Sequence, residues 1–263
     1  ERLPVQDCLT IFHPRDKRPV FAFPWEGVTV IGTTDLDHRQ DPDAEATISN
    51  DELDYLLEAV NDQFPQHAIG RADIISTWSG VRPVIGSDRS KDPSKERRNH
   101  AVWVDKGLVT VTGGKLTTFR KIALDAIEAA TGTLGKLSIV EPGEAVFANT
   151  SISAAAIGID DESRALRLAG RYGAAAKELF AGADAAERTN IHGTLFCLGE
   201  CRWAARNEAV VHLDDLLLRR TRLGSLLRAG GEDIFAALET ICREELHWDQ
   251  ARWQAELTRY REI

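Results

Sequence analysis

The sequence predicts an α+β fold in which a partial antiparallel sheet is followed by an all-helical C-terminal domain. Three observations carry this expectation. Residues 1 to about 112 are rich in strand patterns bounded by turns. The stretch VTVTGGKLTTFR, Val109 to Arg120, then passes from a strand pattern through Gly113-Gly114 into a helical one. From about residue 160 onward the apolar periodicity is that of helices.

The elements can be justified in order. Val20-Phe21-Ala22-Phe23-Pro24-Trp25 and Val28-Thr29-Val30-Ile31 flank Glu26-Gly27 and read as a hairpin. Pro24 has no N–H to give to a ladder, so it belongs at an edge or a strand end. Ser49 and Glu52 make an S-x-x-E capping box. Leu53, Leu56, Leu57, Val60 and Phe64 follow at helical spacing until Pro65 stops the helix. Ile74-Ile75-Ser76-Thr77-Trp78 is strand-like. Ala101–Val104 and Leu108–Val111 form two more strands around Asp105-Lys106-Gly107. Lys115 to Ala130 reads as one helix with Phe119, Ile122, Ala123, Ala126 and Ile127 on its apolar side. Residues 131–145 hold Gly132, Gly135, Pro142 and Gly143 and read as a linker. Helices are expected over 161–172, 174–181, 195–219 and 232–261.

Bulk properties narrow the function classes. With 263 residues, 43% apolar and 28% charged, the chain has the composition of a globular protein of one large or two ordinary domains. A net charge of −9 argues against general affinity for nucleic acid. No run approaches the roughly 18 apolar residues of a membrane span. No charged-then-apolar leader is visible at the start. The four cysteines, Cys8, Cys197, Cys201 and Cys242, form no C-x-x-C. Only His192 and His212 lie near Cys197 and Cys201, so no metal is expected and reduced thiols are. The chain contains no methionine, even at position 1, which is the expectation for part of a longer product.

Several motifs suit chemistry. Gly113-Gly114-Lys115 is not a Walker loop: Val109 stands where the first glycine belongs, and Leu116 stands where the magnesium-binding hydroxyl belongs. The turn nevertheless exposes the first N–H groups of a helix, lets a flat ligand approach the backbone, and adds the Lys115 charge and the Thr117 and Thr118 hydroxyls. Its ligand is expected to be anionic or acceptor-rich. In Ser79-Gly80-Val81-Arg82-Pro83, the proline restricts Arg82 to an extended backbone suited to bidentate capture of phosphate or carboxylate. KDPSKERRNH, Lys91 to His100, is a dense basic loop. Gly32-Thr33-Thr34-Asp35 closes a strand. Asp214-Asp215 and the arginines after them read as ion pairs along and between helices. Each of these also has a plain surface or turn reading.

Taken together, GTTD, SGVRP, RRNH, GGKLTTFRK and HLDDLLLRRTRLG, with the hairpin PVFAFPWEGVTVIGTTD, resemble the flavin-dependent aerobic glycerol-3-phosphate dehydrogenases over almost the whole chain. The resemblance implies a substrate (cap) domain over 1–105 and the closing strand, turn and helix of an FAD domain over 106–130. A linker over 131–150 and a helical domain over 151–263 complete the division. The N-terminal dinucleotide fingerprint G-x-G-x-x-G has no counterpart here, so the resemblance is to a C-terminal portion. It implies FAD as cofactor, with Gly113, Gly114, Lys115, Leu116, Thr117 and Thr118 at the flavin ring and Lys115 as the catalytic candidate. Arg82 and Arg98 would hold the substrate phosphate, with Arg97 an alternative to Arg98 because Asn99 replaces the usual acid. Thr34 and Asp35 would border the pocket. The implied reaction oxidises sn-glycerol 3-phosphate to dihydroxyacetone phosphate and passes electrons to a membrane quinone. The implied location is the cytoplasm, peripherally attached to the inner face of the membrane. The base is left open between Lys115, His100 and residues outside this sequence. An isolated module without flavin, or a related flavin enzyme acting on an amine or using oxygen, are the alternatives.

Overall fold

A computed structural model describes residues 2–39, 41, 43–82, 100–135, 137, 143–146 and 152–263. The chain divides into two compact units. One comprises Glu1–Thr33, Ile48–Trp78 and Asn149–Ile263, the other Thr34–Thr47 and Ser79–Ala148.

In the first unit, β1 (Leu9–Phe12), β2 (Pro19–Trp25) and β3 (Val28–Gly32) form an antiparallel sheet in that order. β1 reaches only as far as Ala22 on β2, so Pro24, opposite Thr29, has a ladder neighbour on one side alone. This is where a residue without an N–H is tolerated. The β2–β3 turn places Glu26 at φ 50° and Gly27 at φ 101°, the left-handed pair that matches strand twist in a two-residue hairpin. Helix α1 (Asn50–Gln63) starts at the expected box: the Ser49 hydroxyl accepts from the Glu52 N–H, and the Glu52 carboxylate accepts from the Ser49 N–H. Its Ala59 and Val60 close a small core with Leu3, Ile11, Val20 and Ile69. Residues 74–78 pair with no strand among the described residues, and the Ser76 hydroxyl donates to the Ser225 carbonyl at 2.6 Å.

The remainder of this unit is helical: α3 (Ala154–Ile157), α4 (Glu162–Tyr172), α5 (Ala176–Gly182), α6 (Leu198–Asn207), α7 (Leu223–Leu226), α8 (Phe235–Glu245) and α9 (Gln250–Tyr260). Two expected long helices are broken. Residues 195–219 split after Asn207, where Ala209 takes φ 50°, and resume as a π-helix over Asp215–Arg220. Residues 232–261 split at His247 (φ 57°), and Asp249 caps α9 by accepting from the Arg252 N–H at 2.7 Å. Both breaks let flanking faces turn inward. The core around Phe196, Leu213, Leu216, Leu217, Leu238, Ile241 and Trp253 draws on all of these pieces, with Trp25 and Val28 of the hairpin packed against it.

In the second unit, β4 (His100–Asp105) and β5 (Leu108–Gly113) form an antiparallel pair joined by a turn with Lys106 and Gly107 at positive φ. Helix α2 (Phe119–Leu134) packs on this hairpin. It begins later than the pattern suggests, because Leu116–Thr118 form a 3₁₀ turn, and it runs on to Gly135. The whole is the expected α+β combination of small antiparallel sheets and a helical C-terminal region.

Candidate functional site

The glycine turn is built by the register of β4 and β5. His100 lies opposite Gly113, so β5 ends level with the start of β4, and Gly113 (φ 73°) and Gly114 (φ 90°) turn the chain toward α2. A Cβ on Gly114 would lie 2.5 Å from Ile122 Cδ1 and 3.3 Å from His100 Cβ. The left-handed backbone is what calls for glycine here, and a Cβ would in addition make the end of the Ile122 side chain move. After the turn, the Thr118 hydroxyl accepts from the Lys115 N–H at 3.3 Å and donates to the Lys115 carbonyl at 2.9 Å. Leu116 and Thr117 follow with the first N–H groups of the helical run, which by position lack partners within it. Lys115 is exposed, and among the described residues its ammonium pairs with no carboxylate. Leu116 is 89% exposed. An exposed cation, open N–H groups and a side-chain-free backbone together favour the negative edge of a flat ligand.

Behind the turn stands a cluster whose second member was not read from the sequence. His100 Nε2 lies 2.7 Å from Asp125 Oδ2, and Lys121 Nζ lies 3.1 Å from the same oxygen. The hydrogen bond from His100, then that from Lys121, holds the Asp125 carboxyl below its ordinary value. The four-residue spacing of Lys121 and Asp125 was a visible signal for half of this cluster.

The predicted substrate residues Arg82 and Asp35 come together: Arg82 Nη1 lies 3.0 Å from Asp35 Oδ2, with Arg82 about half exposed. Asp35 thus orients the guanidinium, and one of its five donors is committed to that carboxylate. Thr34 precedes Asp35 at the exit of β3. Arg97 and Arg98 lie outside the described residues, as does the rest of the basic loop except His100.

The C-terminal acidic pair behaves as expected of ion pairs. Buried Asp214 is held by Arg219 and Arg259, and Asp215 by Arg219 at 2.9 Å. His212, Asp214 and Glu256 bring possible ligand atoms within 4.8 Å of one another, but Arg252, Arg219 and Arg259 already neutralise the two carboxylates. Cys197, Cys201 and Cys242 are buried free thiols and Cys8 an exposed one. A shallow groove of about 460 Å³ between Val210-Val211 and Leu246–Arg252 contains none of the predicted residues. Among the described residues no helix is long and apolar enough to cross a membrane.

Comparison with known proteins gives a consistent set. Residues 2–120 match the model of the FAD dependent oxidoreductase family, and residues 142–253 match the C-terminal domain of alpha-glycerophosphate oxidase. The chain is similar to the aerobic glycerol-3-phosphate dehydrogenase of Staphylococcus haemolyticus, with 32% identity over 84% of this chain and 43% of that protein. It is 31% identical to the Staphylococcus aureus protein of the same name over the same shares. The chain therefore spans less than half the length of these curated relatives. The glycerol-3-phosphate dehydrogenase from Bacillus halodurans, solved in complex with FAD, shares the fold with a TM-score of 0.67 and 23% identity. That match covers 98% of this chain and 53% of the other.

Proposed function

The chain belongs to the FAD-dependent oxidoreductases, in their aerobic glycerol-3-phosphate dehydrogenase branch, and from that premise we propose that its residues serve oxidation of sn-glycerol 3-phosphate to dihydroxyacetone phosphate. The observation that carries the reading is the glycine turn followed by exposed Lys115, whose ammonium meets no carboxylate among the described residues. When bound, FAD supplies the hydride acceptor for the C2 hydrogen of the substrate. The ring end of that cofactor fits here. Gly113 and Gly114 give it bare backbone, and the Leu116 and Thr117 N–H groups stand at the positive end of the helical run, the Thr118 N–H being already given to the Lys115 carbonyl. Lys115 brings a full positive charge to the edge where negative charge develops, which is electrostatic stabilisation prepared before reaction.

Arg82, oriented by Asp35, binds the substrate phosphate, with Arg98 as its partner, and Thr34 borders the pocket. Holding the phosphate spends binding energy remote from C2 on orienting C2 itself. The domain division that goes with this reading is a substrate domain over 1–105, FAD-domain elements over 106–130, a linker over 131–150 and a helical domain over 151–263. Electrons pass to a quinone, and the whole protein attaches peripherally to the inner face of the cytoplasmic membrane.

The test begins with the visible spectrum of the chain mixed with FAD and passed through gel filtration. Retained flavin that bleaches with glycerol 3-phosphate supports the reading. Arg82→Met is then expected to raise KM by about 100-fold with flavin content unchanged, the scale for losing a charge-assisted contact. Retained flavin that amines bleach and glycerol 3-phosphate does not would overturn the substrate. No retained flavin would leave the chain a non-catalytic module.

A further inference from the structure

The geometry points to His100 and Asp125 as positioning residues that lock the glycine turn in its flavin-facing conformation, an inference that rests on the function proposed above. Three chain segments meet around the His100 imidazole. β4 begins at His100, β5 ends opposite it at Gly113, and α2 presents Asp125 to its Nε2 at 2.7 Å. Asp125 lies six residues beyond Phe119, about 9 Å along the helix axis, so the bond grips α2 well inside its body rather than at its frayed first turn.

The base of the same side chain lies against the turn. The space a Gly114 side chain would take is filled by Ile122 and by the His100 Cβ. Lys121 Nζ donates to both Asp125 oxygens, at 3.1 Å to Oδ2 and 3.2 Å to Oδ1, fixing the carboxylate that receives the imidazole N–H. Among the described residues Asp125 is the only hydrogen-bond partner of the His100 ring, through Nε2 at 2.7 Å. The helix start, with its N–H groups and Lys115, is therefore not free to swing about the two glycines. Those glycines would otherwise be the softest point of the segment. Displacements of about 1 Å at such donors are enough to weaken what they bind by a large factor.

This role predicts that the hydrogen bond matters and the negative charge does not. In Asp125→Asn the amide oxygen still accepts from Nε2–H. In Asp125→Ala and His100→Ala the bond is gone. The experiment measures amide hydrogen exchange across Gly113–Thr118 in the 263-residue chain, with α9 as an internal control, and then FAD affinity by flavin fluorescence. Expected are exchange about tenfold faster in both alanine variants, exchange near wild type in D125N, and unchanged α9. FAD binding is expected to weaken about 10- to 100-fold in H100A and D125A, the scale seen when an orienting partner is removed, while D125N stays within about threefold.

Where an alanine variant also loses α9 protection, His100→Gln, which keeps a side-chain N–H, must restore slow exchange. Unchanged exchange in H100A would overturn the inference, as would D125N behaving like D125A. Fast exchange in H100A beside a wild-type chain that takes up no FAD would uphold the lock and overturn the flavin reading of the turn.

Discussion

The side chain of Arg167 joins the β2–β3 hairpin to the helical region, and its removal gives the sharpest stability prediction. Its Nε lies 2.5 Å from Glu26 Oε2, and its Nη1 lies 3.0 Å from Glu200 Oε1. The side chains of Glu26, Arg167 and Glu200 are 14%, 14% and 1% exposed. The guanidinium carbon also lies 4.3 Å from the Phe196 ring centre. Arg167→Met keeps the length and removes the charge, leaving two sheltered carboxylates without their cation. Removing one member of a buried pair costs about 3–5 kcal/mol, and the lost contact with Phe196 adds about 1 kcal/mol. With a urea m-value of about 3 kcal/mol/M, the midpoint falls by about 1–2 M. The assay is urea denaturation followed through the tryptophan fluorescence.

A pH dependence accompanies this loss. Burial raises the Glu200 carboxyl above 4.5 even with Arg167 beside it. In the wild type, the contribution from that shift is in place below 4.5 and is lost as pH rises through the folded value. In R167M the carboxyl rises further, so the destabilisation must shrink as pH falls, because protonation discharges the orphaned group. Adding Glu200→Gln to R167M must recover part of the loss at pH 7. A midpoint shift under about 0.3 M, or strict additivity of the two substitutions, would refute the reasoning.

Two further outcomes follow from the same geometry. Gly27→Ala places a Cβ 2.7 Å from the Gly193 carbonyl oxygen at a φ of 101°; it is expected to cost about 2 kcal/mol or more, read by the same denaturation. Arg206, and with it Arg202, pulls the Glu245 carboxyl down from 4.5 to about 2. That contribution is present above 4.5 and fades as pH falls toward 2, so Glu245→Gln must flatten the acid limb of stability measured between about pH 5 and pH 2.

What the sequence made legible was local. The hairpin at Glu26-Gly27, the box at Ser49 and the turn at Gly113-Gly114 each carry their own chemistry, and each stands where its residues require. The failures are tertiary. Ile74–Trp78 has β-type residues but joins no ladder among the described residues, and its Ser76 hydroxyl bonds to α7. Leu9–Phe12 is too short to announce a strand, yet β2 offers it an edge. The continuous apolar spacing through 195–219 and 232–261 does not reveal the breaks at Ala209 and His247, since alanine seldom takes positive φ and histidine, though enriched there, does so in few of its occurrences. At the candidate site, Arg82 and Lys115 were visible as types in motifs. Asp125 was not, because its meaning depends on a strand 25 residues earlier in the sequence.

The docking of the hairpin tip has a consequence for how the chain can be cut. Glu26 gives its carboxylate to Arg167 and its carbonyl to the Leu195 N–H, and Trp25 and Val28 complete the helical core. The family boundary between residues 120 and 142 is thus a seam in ancestry and not in folding. Helices expressed from residue 142 onward would carry an open socket, and the first 33 residues are the plug that fits it.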